Sequence, residues 1–206
     1  MPGSKNLLDL ESAFTLKSGW LAGAILHGAK AVENRSVQFV PGWYGVHVGV
    51  SKDGDAWAKP HVRERACTGA YNQIQQDLGR GLIPKGHLVG AVRFAHALPM
   101  DACTSSWASG PYCMVVAETF WLERPLPCRG QLGAWPLDEA TRKAFAKENS
   151  EETRGATAQR SHPSDFPPNP KALERLRKAL AEERRARKRD RDREEAKVVP
   201  GVGSGL

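Results

Sequence analysis

Hydrophobic side chains along the first 149 residues recur with two different periods. In SGWLAGAIL, Trp20 and Leu21 lie one turn before Ala24, Ile25 and Leu26, and Ser18 stands where an N-cap accepts from the backbone. Gly28 suits the left-handed position that ends a helix, so the spacing predicts a helix from Ser18 to about Gly28. Beyond it, VENRSVQF and WYGVHVGVSK alternate and hold Val, Tyr and Trp, as strands do. A loop with Gly54 and Pro60 is expected next, then a short helix at TGAYNQIQQDLG. HLVGAVRFAHAL and PYCMVVAETFWL read as strong strands. Pro125, Pro127 and Gly130 break the pattern after the second of them, and QLGAWPL adds one more short strand. A few strands, one or two helices and no βαβ rhythm predict an α+β domain or a small decorated barrel.

The pattern fades near Asn149. Residues 151–170, EETRGATAQRSHPSDFPPNP, are poor in aliphatics and rich in Ser, Thr and Pro, and read as a linker. KALERLRKALAEERRARKRDRDREEAK comes next, with Leu173, Leu176 and Leu180 at helical spacing. Three leucines cannot make a core, so a helix there is solvated or docks on something else. VVPGVGSGL reads as a flexible tip. The expected organisation is an N-terminal arm over residues 1–12, a domain over 13–149, and a linker with a basic tail over 150–206. No internal repeat is visible.

Charge sharpens that division. Up to Asn149 there are 16 basic and 13 acidic residues, and after it 14 and 10, so the last 57 residues carry the larger surplus. A basic chain favours polyanions such as RNA or DNA through counterion release. The run RRARKRDRDR (Arg184–Arg193) has the composition of a nuclear-localisation or RNA-contact patch. Its interspersed Asp190 and Asp192 equally suit a solvated helix. Cys67, Cys103, Cys113 and Cys128 form no CxxC pair, which predicts free, mostly buried thiols in a reducing compartment. No apolar leader or membrane-length run occurs, so the protein is expected in the cytoplasm or nucleus and not in a membrane.

One stretch concentrates charge where the helix should turn into a strand. In LHGAKAVENR, Lys30 comes just after the helix-ending Gly28, and Glu33 and Arg35 are two apart, so a strand projects them from one face. A carboxylate between an ammonium and a guanidinium is favoured in its charged form, while the cations keep capacity for a phosphate or carbonyl oxygen. The same cluster also serves as an ion-pair network pinning helix to sheet.

Gly28-x-Lys30-x-x-Glu33-x-Arg35 resembles the G-x-K-x-x-E-x-R motif of the ASCH (activating-signal-cointegrator homology) family. FTLKSGWLAGAIL is similar to the strand and helix that open such domains, with Lys17 and Trp20 at the basic and aromatic positions. HLVGAVRF resembles the family's glycine-containing strand, and SSWASGPYCMVV with LERPLPCRGQLGAWPL resembles its C-terminal half. The resemblance covers about Ala13 to Leu137. It implies a small PUA-like β-barrel with one or two flanking helices and a cleft holding the motif charges. It also implies RNA binding linked to RNA processing or transcription coactivation. Small relatives hydrolyse acetylated cytidine nucleosides, with a lysine at the position of Lys30 and a threonine where this chain has Glu33. A carboxylate can act as a general base but not as a hydroxyl nucleophile.

Aromatic side chains offer a second kind of contact. Unpaired bases stack on exposed aromatic faces for ~1–3 kcal/mol each. Among six tryptophans, Trp43 and Trp20 lie nearest the charged corner in sequence, although such side chains also serve as packing. The resemblance turns the loop with Ser106 and Trp107 toward the cleft. His27, His47, His87 and His96 show no metal spacing, and Glu118 either points to water or acts as a buried acid. The expected ligand-binding set is Lys17, Trp20, Lys30, Glu33, Arg35, Trp43, Ser106 and Trp107. Lys30 and Glu33 become an acid/base pair if the protein is a hydrolase of a modified nucleoside or of RNA. Neither a metal nor a cofactor is called for, and protein partners through the tail form a third reading.

Overall fold

The computed structural model describes residues 3–149 and 158–160. The expected helix at residues 171–197 and the terminal tip lie outside them. The chain opens with β1 (Ser12–Leu16) and α1 (Gly19–Leu26), then β2 (Val32–Arg35) and β3 (Gly42–Val48). Helices α2 (Gly54–Arg65) and α3 (Thr68–Gly79) come next, then the long strands β4 (His87–Pro99) and β5 (Tyr112–Pro127). Short β6 (Ala134–Pro136), α4 (Glu139–Glu148) and β7 (Ala158–Arg160) complete the described elements.

The fold is α+β, built on a mixed sheet ordered β2-β5-β4-β3-β1-β6, with β7 added to β5. Strands β1 and β3 run parallel, because α1 and β2 lie between them in the chain; the other pairs are antiparallel. The expected closed barrel is not formed. Among the described residues no ladder joins β2 to β6, the two ends of the sheet. Each end strand is short, four and three residues, so little backbone is available for closure. A side chain spans the interval instead: the Arg35 guanidinium donates to the Thr15 carbonyl of β1 at 3.2 Å.

Alternation along the strands sorts side chains onto two faces. Phe14 and Leu16 of β1, Tyr44, Val46 and Val48 of β3, and Val92 and Phe94 of β4 pack with Ile25 and Leu26 of α1. Ala13, Trp43, Leu88 and Ala91 face the other way, toward Leu10, Trp135, Leu137 and Phe145. Helix α1 is buried almost all round, as a helix wedged between a sheet and two further helices must be. Ser18 caps it by accepting from the Trp20 amide at 3.0 Å, and Gly28 ends it with φ 71°, both as the sequence predicts.

The structure has four α-helices among the described residues where one or two were expected. The largest departure is α2, which reads as a loop in the sequence because of Gly54 and Pro60. Gly54 is there for close approach: a Cβ would stand 2.0 Å from the Lys17 carbonyl oxygen. Pro60 lies inside the helix, and both it and Ala56, whose carbonyl loses its partner, are exposed, so solvent can satisfy that oxygen. Helix α2 then packs Ala58 and Val62 inward. Strand β7 falls within the stretch expected to be a linker and pairs with β5 from Glu118 to Phe120. Only Cys113 of the four free cysteines is fully buried, and Cys67 is exposed, in contrast to the mostly buried thiols expected. Among the described residues no helix is long and apolar enough to cross a membrane.

Candidate functional site

Between the open ends of the sheet lies a cavity of about 490 Å³. Its wall comes from β1 and the turn after it (Thr15, Leu16, Lys17), from Lys30 and β2, from α2, and from the loops around Trp107 and Leu132. The volume lies in the ~300–1,000 Å³ range of sites for small ligands.

The charged corner forms one side. Lys30 and Glu33 are only 3% and 6% exposed, and Lys30 Nζ donates to Glu33 Oε2 at 2.6 Å. The ammonium also donates to the Val32 carbonyl, which leaves one of its three N–H groups. Arg35 Nη2 meets the other carboxylate oxygen, Glu33 Oε1, at 3.0 Å. The Arg35 guanidinium lies over the rings of Phe14 and Phe39, at 4.8 and 5.5 Å to their centroids. Arg35 thus joins β2 to β1 and its apolar core, while its Nε is buried with no hydrogen-bond partner. One carboxylate held by two cations leaves the corner net positive, suited to a ligand oxygen.

The facing loop is fastened to β2 by Asn34. Its amide nitrogen donates to the Trp107 carbonyl at 2.8 Å, and its oxygen accepts from the Ser109 amide at 2.9 Å. Cys113 donates weakly to the same oxygen at 3.5 Å. Burial pushes the Cys113 thiol up to about 12, with the neighbouring Cys103 adding to the rise. Lys30 Nζ lies 6.0 Å from the Trp107 ring centroid and the Arg65 guanidinium 5.9 Å, so two cations flank that indole.

Helix α2 supplies a wall that the sequence reading missed. Trp57, His61 and Arg65 recur at helical i, i+4 spacing and all line the cavity. Arg65 Nε donates to the Ser106 carbonyl at 3.2 Å, and its Nη1 lies 3.1 Å from His61 Nδ1. A guanidinium can only donate, so Nδ1 is the accepting nitrogen and a neutral His61 carries its proton on Nε2. The spacing is visible in the sequence, but Gly54 and Pro60 mask the helix that gives it meaning.

Of the eight expected residues, Lys17, Lys30, Glu33, Arg35, Ser106 and Trp107 share the cavity. Trp20 and Trp43 do not line it. Trp20 stacks on Tyr71 of α3 at 5.1 Å with Lys59 over its ring at 5.4 Å. Trp43 is buried in the second core cluster, and its backbone pairs with Ser4. Proximity in sequence was the signal for Trp43, with the family resemblance added for Trp20, and each indole is instead consumed by packing.

Three further ionisable groups have structural partners. His47 Nδ1 lies 3.2 Å from Thr15 Oγ1, and its Nε2 lies 3.1 Å from the Cys128 carbonyl. Burial holds the His47 pKa below its ordinary value. His27 pairs with buried Asp77 at 2.7 Å, and Glu118 is partly exposed and held by Arg93. Among the described residues no three His, Cys, Asp or Glu side chains gather into a metal-sized group. No protein-family model matches the chain, and no curated protein matches it.

Proposed function

We propose that this is an RNA-binding protein of the ASCH type, with a PUA-like domain whose cavity takes one unpaired nucleotide. The observation that carries the reading is the convergence of Lys30, Glu33 and Arg35 with Trp107, Asn34 and Arg65 around one cavity of about 490 Å³. That space suits a single base and sugar, and a paired base would first have to unstack, at a cost of about a few kcal/mol. The free N–H of Lys30 meets a base carbonyl or phosphate oxygen. Glu33 orients Lys30 and Arg35 and accepts from a base amino group with its remaining lone pairs. Indole faces favour stacking. Free thiols at Cys67, Cys103, Cys113 and Cys128 suit a reducing compartment, the cytoplasm or nucleus.

The test compares single-stranded RNA with the same sequence in a duplex by fluorescence anisotropy. The single strand should bind more tightly. Lys30→Gln, which leaves Glu33 with Arg35, should weaken it by ~1–3 kcal/mol for a lost charged contact. Equal binding of both forms would discard the nucleotide-sized cavity as the recognition element.

The buried Lys30–Glu33 contact of 2.6 Å supports a second reading, a hydrolase of acetylated cytidine or RNA with this pair moving protons. Turnover of acetylated cytidine that Lys30→Gln abolishes would replace binding with that chemistry.

A further inference from the structure

Two large apolar side chains stay exposed at the cavity although the sheet has a well-covered core. Trp57 is 56% exposed and Leu132 98% exposed, and both line the cavity from different segments, α2 and the loop before β6. Trp57 is the one exposed aromatic side chain among the described residues. Its ring meets the His61 imidazole at 4.6 Å, tilted by 53°, so the imidazole steadies it without enclosing it.

Positive charge lies beside these groups. Lys17 is exposed and makes no hydrogen bond or ion pair with any described residue, while it lines the same cavity. Arg65 is positioned through Nε and Nη1 by Ser106, His61 and Glu64, and its Nη2 is free of hydrogen bonds among the described residues. The Lys30 N–H left over by Glu33 and Val32 serves the base in the cavity, and Lys17 and Arg65 Nη2 offer further donors for a phosphate. An exposed indole, a bare aliphatic side chain and two available cations match the alternation of base and phosphate along a single strand.

We infer that Trp57, Leu132, Lys17 and Arg65 form a second nucleotide subsite. It takes the phosphate and the neighbouring base of an RNA strand whose first base occupies the cavity. This rests on the reading of the cavity as a nucleotide site and adds where the strand leaves it. The phosphate meets Lys17 and the Nη2 group of Arg65, and the next base stacks on the free face of Trp57 with Leu132 closing over its edge. Lys17 and the Nη2 group of Arg65 both line the cavity and give the phosphate its contacts where the strand leaves.

The experiment measures the affinity of the full chain for four homohexaribonucleotides by anisotropy and for the matching nucleoside monophosphates by calorimetry. Wild type should favour the hexamer over its monophosphate. Trp57→Ala should narrow that ratio by about tenfold or more, the loss of one stacked base. Trp57→Phe should keep most of it, because a ring remains. Lys17→Ala should lower the salt slope of hexamer binding by about one phosphate contact. Circular dichroism confirms that these exposed substitutions leave the fold intact. An unchanged ratio in Trp57→Ala, with Lys30→Gln still weakening both ligands, overturns the outer subsite and leaves the cavity reading standing. If neither hexamer nor monophosphate binds wild type, the cavity reading falls and the subsite falls with it.

Discussion

Asn34 donates from its side-chain amide to the Trp107 carbonyl over 2.8 Å, joining segments 73 residues apart in the chain. The same amide accepts from the Ser109 backbone, so one side chain on β2 holds both ends of a loop turn against the cavity. Trp107 therefore faces Lys30 because of Asn34 as much as because of its own packing.

Asn34→Ala should release this loop. Two backbone hydrogen bonds and the weak one from Cys113 are lost, and the Trp107 carbonyl is left without that donor, for a loss of about 1–3 kcal/mol in denaturant unfolding. RNA affinity should fall as well, because Trp107 and Ser106 no longer hold one position. A variant with native stability and native affinity would remove Asn34 from the site's support.

Removing Glu33 should be costlier than removing Lys30. Glu33→Gln leaves Lys30 and Arg35 as neighbouring cations, one of them almost fully buried, and breaking such a pair costs about 3–5 kcal/mol. Lys30→Gln leaves the carboxylate still paired with Arg35, so its cost should be smaller. Thermal unfolding of the two variants ranks them, and the reverse order would contradict the geometry.

Stability should decline on mild acidification through His47. Its folded pKa lies below the ordinary 6.5, first through burial, so the unfolded chain takes up the proton that the folded chain resists. The His47 contribution is complete above about pH 6.5 and is lost as pH falls from there toward the folded value. The melting temperature should drop over that interval, and His47→Gln should flatten this part of the profile. Burial is the main cause, and the Cys128 carbonyl beside Nε2 opposes it.

Gly54→Ala tests the placement of α2. The added methyl would meet the Lys17 carbonyl at 2.0 Å, a backbone atom that cannot swing aside, so the helix must move. Overpacking of this kind costs about 1–3 kcal/mol. Because α2 carries Trp57, His61 and Arg65, RNA affinity should fall too. Urea unfolding and anisotropy measure the two effects separately.

Truncation after Pro167 removes the unit Pro168–Leu206, including residues 171–193 with 11 basic and 5 acidic side chains. Affinity for every RNA should fall by a similar factor and the salt dependence should flatten, while the ranking of RNAs survives. A changed ranking would move specificity out of the cavity.

Local chemistry made part of this protein legible from its sequence. Ser18 and Gly28 mark the ends of α1 because capping and left-handed backbone are decided by one residue and its neighbours. The alternation in WYGVHVGV and HLVGAVRF sorts side chains onto two faces of a strand wherever that strand lies. Lys30, Glu33 and Arg35 come together because a turn and a four-residue strand separate them. Trp20, Trp43 and α2 were decided elsewhere. Whether an indole packs or faces a ligand depends on what the fold brings opposite it: Tyr71 for Trp20, a second core for Trp43, and open space for Trp57. Gly54 and Pro60 spoke locally for a loop, and packing of Ala58 and Val62 overrode them. The sheet stayed open for the same reason, since closure requires two distant end strands to meet and Arg35 and the cavity occupy that interval.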